Sequence, residues 1–352
     1  MIILFVIIGL SVLILVHEAG HFFMSKIFGV KVEEFGFGFP PRLFGKKKGE
    51  TVYSLNALPL GGFVKIYGED ESTVSHEPER SFAHQKIWKR SVILLAGIFM
   101  NIILAWLFFS VALMIGAPHH LALTDVADNS PAAMSGLKQG DIIAKIQYGT
   151  DILTDPISSD SFTSFTKKYV GEKLDLTVKR GNSFFDTTLI PRKNPPPCEG
   201  AMGVGIGDIA IEKTSFFASF PTGAEETYYS TQAIIGGFGD LFTAPFQKTC
   251  AAGAALKSVS GPLGIFNFAS EAGALGFVYL IQLIGAISLN LAVLNFLPIP
   301  ALDGGRFLFL IIEKIKGTPI PIKFQRTANA VGFAFLILLM IIVTVHDIGK
   351  IF

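Results

Sequence analysis

Residues 2–16 carry no charge, and residues 22–30 are apolar apart from Ser25 and Lys26. A run of this length spans a bilayer as a helix. Inside it sits His17-Glu18-Ala19-Gly20-His21. Helical spacing puts the two imidazoles one turn apart on one face. There they can serve as two ligands of a tetrahedral zinc, while the carboxylate between them can take a proton from a bound water. Two His and a Glu at membrane depth are costly, so by default they mark a functional site. The alternative is a polar patch packed against other helices.

Composition agrees with a membrane chain. The 352 residues are 50 % hydrophobic and only 16 % charged, against about 25 % charged in a typical soluble domain. Mean hydropathy is +0.52. A net charge of +1 makes no case for nucleic acid as a partner. The N-terminus does not read as a cleavable signal peptide, because it lacks a basic region and its apolar run continues into the His-Glu-His cluster. Cys198 and Cys250 are too few for a disulfide framework and lie in no Cys-x-x-Cys. They could pair if both face an oxidising compartment.

Four stretches reach membrane length: 2–26, 91–115, 275–297 and 327–345. Lys31, Arg42, Lys46, Lys47, Lys48, Lys65, Arg80, Lys86 and Lys89 lie between the first two, and Arg306, Lys314, Lys316, Lys323 and Arg326 between the last two. Positive residues stay on the cytoplasmic side. The pattern therefore predicts a cytoplasmic 27–90 and 298–326, with 116–274 and both termini outside. The His-Glu-His cluster then lies near the cytoplasmic end of the first span. The cytoplasmic end of the third span lies at the same depth.

That end reads Asn290-Leu-Ala-Val-Leu-Asn295-Phe-Leu-Pro298-Ile-Pro300-Ala-Leu-Asp303-Gly304-Gly305-Arg306. Zinc needs a third ligand, and Asp303 is the acidic residue that topology brings to the right level. Pro298 and Pro300 cannot continue a helix, and unwound backbone at this depth must be buried in protein or line a wet cavity. Asp303 could instead simply cap the helix that begins at Phe307. Asn295 could donate to a developing oxyanion or serve a polar contact between helices.

Together, His17 to His21 and the late Asn295-x-x-Pro298-x-Pro300-x-x-Asp303-Gly304 resemble the site-2 protease family of intramembrane zinc metalloproteases, and its bacterial regulator-of-sigma-E protease branch most. The likeness covers nearly the whole chain. It includes Gly36-Phe-Gly38-Phe-Pro40, Leu58-Pro59-Leu60-Gly61-Gly62-Phe63, Tyr67-Gly68-Glu69, and Ala96-Gly97 with Asn101 in the second span. Ile98 stands where that family usually has Pro. The resemblance implies a bacterial inner-membrane enzyme whose Zn²⁺ is held by His17, His21 and Asp303, with Glu18 as base. It implies that Asn290, Asn295, Pro298 and Pro300 contact substrate. Its substrates would be transmembrane segments of single-span proteins, such as anti-sigma-factor-type regulators or remnant signal peptides.

Residues 30–67 read as short strands around a Lys46-Lys-Lys-Gly turn. They form either a small sheet without a substrate role or an open edge at the active site. A helical substrate hides its carbonyls in i to i−4 bonds and must be unwound, and a free strand edge holds an extended peptide through main-chain bonds. Ser130-Pro131-Ala132-Ala133, Gly136-Leu137, Gly140-Asp141-Ile142-Ile143, a helix over 162–169 and a strand and turn from Lys173 resemble a PDZ domain. That module would bind a peptide C-terminus or act as a steric plug. The chain thus reads as a polytopic α-helical membrane protein with four transmembrane helices, a membrane-associated β-hairpin or sheet and an inserted α+β PDZ domain. Its parts are 1–117, the PDZ domain over 118–194, a linker with a helix on the outer lipid surface over 195–274, and 275–352. A PDZ scaffold with a structural metal and a metal-ion transporter are the rival readings. An intact Glu18 beside an open coordination position argues against the first. The absence of Asp, Glu, Lys, Arg and His from 91–115 and 327–345 argues against the second.

Overall fold

The computed structural model describes residues 2–69, 77–181, 183–243 and 261–351. In chain order these form α1 (Ile2–Ile27), β1 (Val32–Lys48), β2 (Thr51–Ile66), α2 (Ile87–Ile115), β3 (Ala117–Val126), α3 (Pro131–Met134), β4 (Ile142–Tyr148), β5 (Asp151–Thr154), α4 (Ser159–Lys168), β6 (Leu174–Arg180), β7 (Ser183–Leu189), β8 (Val204–Ile211), α5 (Phe216–Thr243), α6 (Pro262–Leu275), α7 (Phe277–Phe296), α8 (Asp303–Lys316) and α9 (Ile322–Ile351). Among them, Leu4–Ile27, Ile87–Ile115, Phe277–Phe296 and Ile322–Gly349 are long and apolar enough to cross a membrane.

The helices sort their ends into two levels. At one, the start of α1 meets α6 and the start of α7, where Val6, Ala269 and Leu280 are buried together. The end of α2 joins them through Ala112, Tyr279 and Ile281. At the other level, Val30, Ile66, Phe82, Ile93, Leu94 and Leu310 form a second cluster from the end of α1, β2, the start of α2 and α8. The ion pairs Arg90–Glu313 (2.8 Å) and Arg306–Glu69 lie there as well. Each of the four apolar helices runs from one level to the other, and successive ones alternate in direction.

β1 and β2 fold at this second level. Residues 34–37 are flanked by 65–62 on one side and by 52–55 on the other, and 44–48 pair with 55–51. The 62–66 segment is therefore an outer edge, and it lies along α1. The charged sequence Lys46 to Lys48 falls at the opposite edge, exposed.

At the first level a six-stranded sheet has the order β7-β6-β4-β3-β8, with β5 paired to β4. Its core holds Leu121, Ile143, Ile146, Phe162, Leu174, Leu176 and Val178. The helix expected over 162–169 is α4. The sheet runs past residue 194, where the sequence reading ends this module: β8 pairs along β3 from Val126↔Val204 to Ala117↔Ile211. Asn194-Pro195-Pro196-Pro197 has the composition of a stiff linker. The chain instead returns through it to cover the exposed side of β3.

α5 also differs from a helix that only lies on the outer surface. Trp106 Nε1 donates to Phe220 O at 2.8 Å, and Ile234 packs on Ala105, Phe109 and Leu289 of α2 and α7. Covering that apolar seam and satisfying a half-buried indole N–H draws the helix against the spans. Its other face still exposes Phe217, Tyr228 and Tyr229, which suits contact with lipid headgroups. α5 ends at Thr243, and the 244–258 part of that stretch lies outside the described residues. Cys198 is disulfide-bonded, and Cys250 lies outside the described residues.

The six-stranded module is pinned by Asp141, whose carboxylate is fully buried. It accepts from Arg180 Nε at 2.7 Å and Nη2 at 2.8 Å, and from Lys138 N at 2.8 Å. Hydrogen bonds to charged groups contribute about 1.5–3 kcal/mol. Asp141→Ala should therefore destabilise the module by about 2 kcal/mol, read as a lower thermal midpoint in detergent, with Asp141→Asn losing less. An unchanged midpoint would show that the pair is dispensable.

Candidate metal centre

α1 stays helical through its polar insertion, so His17 and His21 project from one face, their ring centroids 4.8 Å apart. Both are buried. The third member arrives from the far end of the chain. α7 stops at Phe296, and the backbone is non-helical through Pro298 and Pro300 before α8 starts at Asp303. The two glycines after Asp303 make the return possible. A Cβ on Gly304 would lie 2.3 Å from Leu297 O, and one on Gly305 would lie 2.2 Å from Ile299 O. Asp303 Oδ2 thereby reaches 2.9 Å from His17 Nε2 and 3.3 Å from His21 Nε2, and the two Nε2 atoms are 3.2 Å apart.

These three atoms could hold a metal ion. Zinc bonds of about 2.0–2.2 Å in a tetrahedron separate ligand atoms by roughly 3.3 Å, close to the triangle observed. The surroundings fit as well. His21 Nδ1 lies 2.8 Å from Ile93 O, so that nitrogen carries the proton and Nε2 keeps its lone pair. α2 leaves the space empty of side chain: a Cβ on Gly97 would lie 2.5 Å from His21 Nε2 and 2.8 Å from His17 Nε2. The donor set of two imidazoles and one carboxylate is that of a catalytic zinc with an open fourth position.

Glu18, next to His17 on α1, lies close enough to His17, His21 and Asp303 to interact with all three. Its Oε2 accepts from Val64 N at 3.0 Å. Val64 lies on the outer edge segment of the sheet, so its N–H faces away from β1 and toward the site. Asn295 is half-buried. Asn290 turns its amide to Ala286 O of its own helix, at 3.0 Å, and is not brought to the three ligand atoms by any bond. Pro298 is exposed and Pro300 half-buried. Pro300 lies against α9, where a Cβ on Gly332 would meet its carbonyl oxygen at 2.1 Å.

Several contributors were invisible to motif reading. Val64 and Ile93 act through the main chain, which leaves no residue-type signal. Asn329 of α9 accepts from Ala301 N at 3.1 Å, holding the loop before Asp303 where Ala301 has φ 81. A lone polar residue in an apolar span was the available sign.

The chain matches Peptidase family M50 over residues 5–349. A Clostridium perfringens protein whose name contains zinc metalloprotease is 37 % identical over 99 % of this chain and 98 % of its own length. The regulator of sigma-W protease RasP of Bacillus subtilis is 29 % identical over 97 % of this chain and 96 % of its own. The zinc metalloprotease RasP of Geobacillus kaustophilus is also 29 % identical, with the same coverage.

The tight approach at residue 97 gives a direct test. Gly97→Val should strip the metal, seen as a loss of zinc per chain by atomic absorption. Gly236→Ala, at a position with nothing within 4 Å of the added Cβ, should keep it. Equal zinc in both variants would contradict the crowding read from this helix contact.

Proposed function

The chain belongs to peptidase family M50, and on that footing we propose that His17, His21 and Asp303 hold zinc while Glu18 acts as the base that cleaves transmembrane segments. The protein is a zinc metalloprotease of a bacterial membrane, working within the bilayer. The observation that carries the residue assignment is the triangle of Nε2, Nε2 and Oδ2 atoms drawn from segments 286 positions apart, with Glu18 beside it.

Zinc bound there supplies a Lewis acid that polarises the scissile carbonyl and acidifies water. Glu18 takes the proton of the attacking water and passes it to the leaving nitrogen. The edge segment 62–66 receives the unwound substrate as an added strand, with main-chain bonds replacing those lost from its helix. Asn295 donates to the carbonyl oxygen as it gains charge. Asn290, Pro298 and Pro300 flank the extended peptide where the backbone of α7 ends.

We assign the second level, with its basic loops, to the cytoplasmic side, and the six-stranded module and both termini to the outside. The module then stands a membrane's thickness from the zinc and cannot share a pocket with it. It is a PDZ-type module that filters substrates by the size of their outer parts. The Bacillus relative is named for sigma-W, and the substrate class assigned here is the single-span anti-sigma regulator already trimmed outside, together with remnant signal peptides.

Purified protein incubated with a panel of single-span segments should cleave some of them, and a zinc chelator should stop it. Glu18→Gln keeps the size of the side chain but cannot take a proton. It should lower cleavage by at least ~10²-fold with zinc retained; near-normal turnover would give Glu18 another role. The size filter has its own check. The wild-type protein should cut a trimmed segment and refuse the same segment fused to a folded outer domain, and equal cleavage of the two would remove the filter.

A further inference from the structure

The second span carries one amide among apolar residues at the level of the metal centre. Asn101 is almost fully buried, 1 % exposed. Its Nδ2 lies 3.3 Å from His17 Nδ1, and its Oδ1 is buried with no hydrogen-bond partner. The residue is held in place independently of its side chain, since Ser288 Oγ of α7 donates to Asn101 O at 2.9 Å. Asn101 also lies one turn along α2 from Gly97, so the amide and the metal cradle share a helix face.

A histidine that binds metal through Nε2 carries its proton on Nδ1, and that proton needs an acceptor. His21 has one in Ile93 O. His17 faces the Asn101 amide, and of the amide's two ends only the oxygen can accept. The two ends have nearly the same shape, and nothing else among the described residues claims Oδ1. Turning the amide by half a revolution brings Oδ1 to His17 Nδ1.

We propose that Asn101 is a positioning residue for the metal centre, its amide oxygen accepting the His17 Nδ1 proton and thereby setting the ring and lone pair that face zinc. The two histidines of α1 are then oriented by the same neighbouring helix, one through a main-chain oxygen and one through a side-chain oxygen. This rests on the assignment of His17 as a zinc ligand. Loss of such an outer partner typically weakens metal binding by about 10- to 100-fold.

The test is chelator competition for zinc, with cobalt(II) absorption as a second readout, on full-length wild type, Asn101→Leu and Asn101→Asp. Asn101→Leu, of similar size and unable to accept, should lose about 10- to 100-fold in zinc affinity. Asn101→Asp keeps an acceptor and discards the donor, so it should bind zinc at least as tightly as wild type. Its cobalt bands should also shift, because a carboxylate raises the basicity of the ring it touches. Wild-type affinity in a folded Leu variant would overturn the proposal, as would equal losses in both variants, which is what an amide acting as donor or as mere packing predicts. Should the Leu variant not fold, an Asp variant with weakened zinc binding or unshifted cobalt bands overturns it alone. A wild-type chain that binds no zinc would instead overturn the ligand assignment on which it rests.

Discussion

A carboxylate and two imidazoles cannot stand alone among apolar side chains, because desolvating such groups without partners costs several kcal/mol each. Their company for one another organises the region around residues 17–21. Oδ2 of Asp303 lies within 3.3 Å of both Nε2 atoms, and each feature nearby serves that approach. α7 ends early, two prolines keep the next residues out of a helix, and Gly304 and Gly305 let the first turn of α8 fold back on the carbonyls of 296–299. α2 contributes a gap at Gly97 where any side chain would displace the histidines. None of these devices stabilises the fold well by itself. They are intelligible as the cost of placing polar chemistry at membrane depth.

The same centre explains why a sheet sits against a membrane helix. β-structure with an open edge is a liability in apolar surroundings, since unpaired N–H and C=O groups must be satisfied. Here the edge segment 62–66 lies along α1, and the Val64 N–H is received by Glu18. One bond thus satisfies a backbone donor and orients a carboxylate beside the histidines. An edge of this kind, beside the candidate metal centre, leaves main-chain groups available for pairing with an extended peptide.

Much of this was legible in the sequence, and the reasons are physical. The spans show because lipid demands long uncharged runs, and the pairing of His17 with His21 shows because helical geometry puts i and i+4 on one face. Asp303 could be proposed as their neighbour from topology, since alternating spans put the ends of the first and third at one level, and the structure brings its Oδ2 to both Nε2 atoms. What could not be read depends on contacts between main-chain atoms and on strand order. The register that makes 62–66 an outer edge follows from residues 34–37 taking neighbours on both sides, a choice that no single segment announces. Likewise β8 reads as linker because its partner among the described residues, β3, lies about eighty residues earlier, and α5 reads as a surface helix because its aromatic and acidic residues hide the seam it covers.

α9 carries the last part of the argument. Only 6 % of its most apolar window is buried, so most of it packs against nothing else among the described residues. Yet several of its polar bonds reach other elements. Gln325 Nε2 donates to Glu313 Oε1 at 3.4 Å, beside the Arg90–Glu313 pair that joins α2 to α8. Asn329 accepts from Ala301, two residues before Asp303. At the far end, the Asp347 carboxylate accepts from Gly261 N and Gly264 N, both at 2.9 Å, as a side-chain cap on the start of α6. A helix that packed through a broad apolar stripe would not need such contacts. One held at a few polar points transmits its position to the loop that carries Asp303, because Ala301 keeps its left-handed conformation only while its surroundings enforce it. The place of the carboxylate is therefore set from both sides, by the histidines it meets and by the span behind it.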